Sequence, residues 1–108
     1  MNDAKAIRVF LVDDQTLVRQ GIRSLLALAD DIEVVAEASD GRQAVEQIPQ
    51  VQPDVVLMDM RMPTMSGLEA LQALSAAGKL PPAIILTTFD DDALVLAGIK
   101  AGAKGYLL

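Results

Sequence analysis

The sequence contains no cysteine, no histidine and no tryptophan. Without cysteine there are no disulfides, no thiol chemistry and no thiolate metal site. Without histidine the commonest general base and the usual zinc ligand are missing, and so is any internal phosphohistidine. Aromatics are limited to Phe10, Phe89 and Tyr106, so the core must be built from Val, Ile, Leu, Met and Ala. No apolar run approaches membrane-spanning length, and Met1 to Lys5 is no secretory leader, so a soluble cytoplasmic protein with no membrane partner is expected. Basic clusters are absent too, and the net charge of −6 repels phosphate backbones, which argues against nucleic-acid binding by this segment.

What remains fits one small domain. The chain has 108 residues and a hydrophobic fraction of 52%, enough for a packed core with a radius of gyration of about 13 Å. Short apolar runs alternate with helical patterns. Strands are predicted at 7–12, 32–38, 54–58, 82–86 and 105–108, the second as an edge strand because Glu33 and Glu37 interrupt it. Helices are predicted at 15–28, with Asp14 or Thr16 as its cap, and at 40–47, ended by Pro49. Two more are predicted at 67–76, closed by Gly78, and at 90–101, broken by Gly102. The continuous apolar strands DVVLM and PAIIL suit the buried middle of a parallel sheet. Five alternations imply right-handed crossovers and an α/β doubly wound five-stranded parallel sheet with helices on both faces.

In such open sheets the functional crevice lies at the carboxyl ends of the strands. Three strands end there in polar residues: Asp13-Asp14, Asp59 and Thr87-Thr88. In the order 2-1-3-4-5 these strands are neighbours, so the carboxylates and a hydroxyl would meet in one pocket. Crowded carboxylates raise one another's pKa, and a hard divalent cation relieves them. Oxygen-only ligands suit Mg²⁺, beside which a carboxylate can act as nucleophile toward a phosphoryl group. Taken singly, each feature has a plainer reading. Strand-end Asp residues also cap helices, a loop Asp can be merely solvated, and Thr is at home in strands. Their coincidence at one edge of the sheet favours the pocket.

The same residues carry a resemblance. Leu11-Val12-Asp13-Asp14 looks like the first-strand acidic pair of response regulator receiver domains. Residues 54–67 (DVVLMDMRMPTMSG) resemble their phosphorylation segment, with the acceptor four residues before Pro63 and eight before Gly67. Residues 84–88 (IILTT) and 101–108 (AGAKGYLL) resemble the fourth strand and the approach to the fifth. The resemblance spans essentially the whole chain and is nearest to the NarL/FixJ (LuxR-type) class. It implies a flavodoxin-like fold and a two-component switch that takes a phosphoryl group from a sensor histidine kinase. Asp59 would be the phosphoacceptor. Asp14 would ligate Mg²⁺ directly and Asp13 partly through water, joined by Asp59 and the backbone carbonyl of Arg61. Thr87 would hold a phosphoryl oxygen, Tyr106 would be the switch aromatic, and Arg61 and Phe89 would tune the lifetime of the acyl phosphate. Gly67 would help open the third helix. DNA would be contacted only through a C-terminal helix-turn-helix, which this chain does not contain.

The family also carries a Lys just after the stretch Tyr106-Leu107-Leu108, and then a fifth helix; the sequence ends at Leu108, and Lys104 lies on the wrong side of Tyr106. A chain trimmed before that helix would bare apolar surface beside the first helix, so a homodimer or other self-association is expected to cover it. Three rival readings compete with this one. An Asp-nucleophile phosphohydrolase would need an acid at position 15, which is Gln15; a nucleotide or flavin binder would need a glycine- or hydroxyl-rich loop where Asp13-Asp14 stands. A degenerate receiver serving only to dimerise is disfavoured by intact Asp14, Asp59 and Thr87.

Overall fold

The computed structural model describes residues 6–87 and 92–107. Nine elements alternate along them: β1 (Ile7–Val12), α1 (Thr16–Leu26), β2 (Ile32–Ala38), α2 (Gly41–Val51), β3 (Val55–Asp59), α3 (Gly67–Ala76), β4 (Ala83–Leu86), α4 (Asp92–Lys100) and β5 (Gly105–Leu107). All strand pairs are parallel, in the order β2-β1-β3-β4-β5. The fold is the flavodoxin-like sheet expected, with β2 at an edge. The radius of gyration, 13.3 Å, matches a compactly folded chain of this size.

Period-two alternation divides the strands between two faces. Phe10, Val12, Val56, Met58, Ala83 and Ile85 point to one, where Ala44 and Ile48 of α2 and Ala70, Leu71 and Leu74 of α3 close a dry core over them. Val9, Leu11 and Leu57 point to the other, where Ile22 and Leu26 of α1 are the helical cover. No residue of α1 is buried, and Leu25 stays 69% exposed. One face of the sheet is therefore much better packed than the other.

Local chemistry sets the boundaries and corrects several expected ones. α1 is shorter than predicted, and neither Asp14 nor Thr16 caps it. Gln15 holds the N-cap position without a side-chain bond, and the Asp13 carboxylate accepts its N–H instead (2.8 Å). α2 does not end at Pro49. Asp40 caps its start by accepting the Gln43 N–H (2.8 Å), and the helix runs past the proline to Val51. Two features make this tolerable. Gln52 turns left-handed (φ 52°) and donates its N–H to the Ile48 carbonyl. The Arg8 guanidinium, reaching from β1, donates to the end carbonyls of Val51 (3.0 Å) and Gln52 (2.6 Å). The orphan carbonyls that a proline-weakened last turn exposes are thus satisfied.

α3 opens with a reciprocal capping box, in which the Ser66 hydroxyl accepts the Glu69 N–H and the Glu69 carboxylate accepts the Ser66 N–H. It closes as predicted at Gly78 (φ 69°), where Gly78 donates to Ser75 and Lys79 to Leu74. The start predicted for α4 at Asp90, and the last residue predicted for β5, Leu108, lie outside the described residues.

Candidate functional site

The carboxyl ends of β1, β3 and β4 lie side by side because their registers do: Val12 pairs with Met58, and Asp59 with Leu86. The next residues therefore emerge at one edge. One carboxylate oxygen from each of Asp13, Asp14 and Asp59 lies within 4.8 Å of the other two. Asp13, Asp59, Arg61 and Thr87 share a cleft of about 330 Å³, whose remaining wall includes apolar Val18 and Leu107. Asp14 and Arg61 open onto an adjoining concavity.

Each member of the group is fixed by its element. Asp13 is buried, donates its N–H to the Ala38 carbonyl of β2 (3.1 Å) and accepts from the Gln15 N–H. Asp59 is half-buried at the tip of β3 and accepts the Arg61 N–H (3.2 Å), which curls the loop back over the acid. Thr87 follows β4 and is held through its own N–H to the Leu107 carbonyl (3.0 Å). The loop between Met60 and Ser66 is clamped at both ends. A Cβ on Gly67 would overlap the Asp59 carbonyl oxygen and the Met60 Cα, so only glycine permits that approach. At the other end the Gly41 N–H donates to the Met65 carbonyl (2.9 Å), and a Cβ there would lie 2.8 Å from the Ser66 carbonyl oxygen.

Burial and mutual repulsion leave the acids strained. Desolvation first, then the nearby charges of Asp13 and Asp14, push Asp59 up to about 6 against the pull of the Arg61 N–H. Desolvation also raises Asp13, opposed by its bond from Gln15. Three crowded carboxylates, with no nitrogen or sulfur donor among them, suit a hard divalent cation such as Mg²⁺ and suit zinc or copper poorly.

The structure brings Asp13, Asp14, Asp59, Arg61 and Thr87 together at this edge. Tyr106 does not join them. It is 53% exposed on β5 and pairs with Ile85, which places it on the α4 side of the sheet. Phe89 lies outside the described residues. Four contributors escaped the sequence reading: Gln15, whose N–H fixes the Asp13 carboxylate; Arg19, which binds the Asp13 carbonyl; Glu37, which binds Arg19; and Gly41. The sequence signal for Arg19 and Glu37 was only a polar interruption in two amphipathic patterns.

Comparison with known proteins agrees with this geometry. Residues 9–108 match the family described as the response regulator receiver domain. The nitrate/nitrite response regulator protein NarP of Escherichia coli is 46% identical over 108 residues, covering 100% of this chain and 50% of that protein. The transcriptional regulatory protein LiaR of Bacillus subtilis is 45% identical over 102 residues, covering 94% of this chain and 48% of that protein. The signal receiver domain of the putative response regulator NarL from Mycobacterium tuberculosis superposes with a TM-score of 0.89 at 36% identity, covering 96% of this chain and 84% of that one. The chain thus spans about half the length of the curated relatives it matches. Its sheet order, its acidic strand ends and these matches place it in the response regulator receiver domain family, whose members accept a phosphoryl group rather than turn over a substrate as conventional enzymes do.

Proposed function

We propose that Asp59 is the phosphoacceptor of a two-component signalling switch, and that Asp13, Asp14, Asp59 and the Arg61 carbonyl hold the Mg²⁺ that the reaction uses. The observation that carries this reading is the convergence of three carboxylates at the end of β3, with Asp59 between the acid pair and Thr87. A sensor histidine kinase supplies the phosphoryl group. The nitrogen–phosphorus bond of its phosphohistidine breaks as a bond forms between phosphorus and an Asp59 carboxylate oxygen. A bound Mg²⁺ would offset the carboxylate charge and that of the incoming phosphoryl oxygens. Asp59 must be ionised to attack, so the cation also opposes the burial that pushes it toward the acid form. The Thr87 hydroxyl binds a phosphoryl oxygen. Tyr106 then reorients, which alters the α4–β5 surface and shifts a two-state equilibrium.

The output is transcriptional and acts through a DNA-binding helix-turn-helix domain. The transcriptional part rests on relatives such as the transcriptional regulatory protein LiaR, of which this chain matches about half, and the helix-turn-helix on the resemblance to the NarL/FixJ class. A homodimer or other self-association would cover the exposed apolar side chains of α1 and β5, among them Leu25 and Leu107. Among the described residues no helix is long and apolar enough to cross a membrane.

The test is intact mass spectrometry after incubation with acetyl phosphate. The wild-type chain should gain one phosphoryl group only when Mg²⁺ is present, stable to acid and labile to base. Asp59→Asn should gain none. Equal labelling of the Asn variant would overturn the assignment.

A further inference from the structure

We propose that Arg19, held by Glu37, is the residue that positions the acid pair of β1 for its cation; this rests on reading Asp13 and Asp14 as a cation site. Asp13 stands where β1 gives way to the turn before α1. Its N–H is tied to β2, and one carboxylate oxygen is tied to Gln15. The remaining backbone group, its carbonyl, accepts a 2.6 Å bond from the Arg19 guanidinium. The Arg19 side chain is only 17% exposed, and its Nε donates to Glu37 across 3.2 Å. The guanidinium therefore joins three elements: the end of β1, the first turns of α1, and β2. A planar five-donor fork can do this; a lysine ammonium cannot span the same two acceptors in fixed directions.

Glu37 reaches this place through an irregularity. The pairing of β1 with β2 slips between Val9 and Phe10, so that Val9 faces Val34 but Phe10 faces Ala36. Regular alternation would put Glu37 on the same face as Glu33. The extra residue turns it instead to the face shared with Leu11, beneath α1, where Arg19 and Arg23 both bind it. The bulge, Glu37 and Arg19 together form a brace ending on the Asp13 backbone.

Charge and position make opposite predictions, which gives the idea its test. If Arg19 acted only as a nearby positive charge, Arg19→Gln would relieve repulsion and tighten Mg²⁺ binding. If it positions Asp13, the same change should weaken Mg²⁺ binding roughly tenfold, the usual cost of removing a group that orients a metal ligand. Isothermal titration with Mg²⁺ reads the difference directly, with a thermal melt of each variant alongside. Arg23→Gln removes an equal charge from Glu37 without touching Asp13 and should bind Mg²⁺ at least as tightly as wild type. Arg19→Lys keeps the charge and should still bind several-fold more weakly, which keeps the test available if Arg19→Gln does not fold. Mg²⁺ affinity in Arg19→Gln and Arg19→Lys equal to or above that of wild type would overturn the proposal and leave the cation site standing. A wild-type chain that binds no Mg²⁺ would overturn the underlying reading as well.

Discussion

At the scale of single residues, Asp59 is the group most at odds with its surroundings. Its carboxyl sits near 6 in the fold against an ordinary 3.8, chiefly through desolvation. A raised carboxylate pKa means that the native state binds more protons than the unfolded chain between those values. The contribution of this group to stability is complete below about pH 4. It is lost as pH rises through about 6, and the penalty of the buried charge is then fully developed. Metal-free protein should therefore melt at lower temperature at pH 7 than at pH 5, as far as this group decides. Asp59→Asn should abolish that part of the slope and raise metal-free stability at pH 7 by ~1 kcal/mol, the full shift being discounted for a half-exposed site. Millimolar Mg²⁺ should stabilise wild type at pH 7 and leave the Asn variant nearly unchanged. Melting curves across pH, with and without Mg²⁺, check all three. The candidate acids were legible in the sequence because each ends an apolar strand. Tyr106 shows the limit of such reading: its position in the chain was plain, but its exposure depends on what covers β5.

At the scale of elements, the loop that follows Asp59 is shaped by glycine contacts rather than by its own composition. Gly67→Ala would drive a methyl into the Asp59 carbonyl, so the loop or the start of α3 must move. We expect a loss of about 2–3 kcal/mol in urea unfolding, the upper range for overpacking, with weaker Mg²⁺ binding in the fraction that folds. The sequence offered Gly67 as a helix opener and said nothing of Gly41, because close approach between distant backbones leaves no local pattern. The same holds for α2. Pro49 read as a stop, yet the helix passes through it because Arg8, remote in sequence, caps its last carbonyls. Arg8→Ala should fray that end and cost about 1–2 kcal/mol, seen as faster amide exchange confined to the last turn of α2 and the start of β3. The β2 bulge was equally hidden. Period-two alternation reads Glu33 and Glu37 as equivalent, and only the register with β1 separates them.

At the scale of the whole molecule, the two faces of the sheet are unequal. α2 and α3 bury Ile48, Leu71 and Leu74 completely or nearly so, whereas no residue of α1 is itself buried, and Leu17 and Leu25, with Leu28 just beyond the helix, are largely exposed. Local opening free energy follows buried apolar contact. In the monomeric chain, amides of α1 should therefore exchange with deuterium well before those of α3, by at least about tenfold in protection. Uniform protection of the two helices would mean that something covers the α1 face in solution. The doubly wound parallel sheet was readable from the alternation of apolar strands and amphipathic helices with right-handed crossovers, whereas the order 2-1-3-4-5 came with the resemblance to receiver domains. Given that order, the convergence of the strand-end acids was expected from the sequence, and the registers of β1, β3 and β4 bring Asp13, Asp14 and Asp59 together.

That convergence is tested most directly by titrating the ¹⁵N-labelled chain with Mg²⁺ and following every backbone amide. A single saturable site should appear, with shifts concentrated at residues 13–15, 59–61 and 87, and Asp59→Asn should abolish them. Shifts scattered over the acidic surface without saturation, or an unchanged response in the Asn variant, would contradict it.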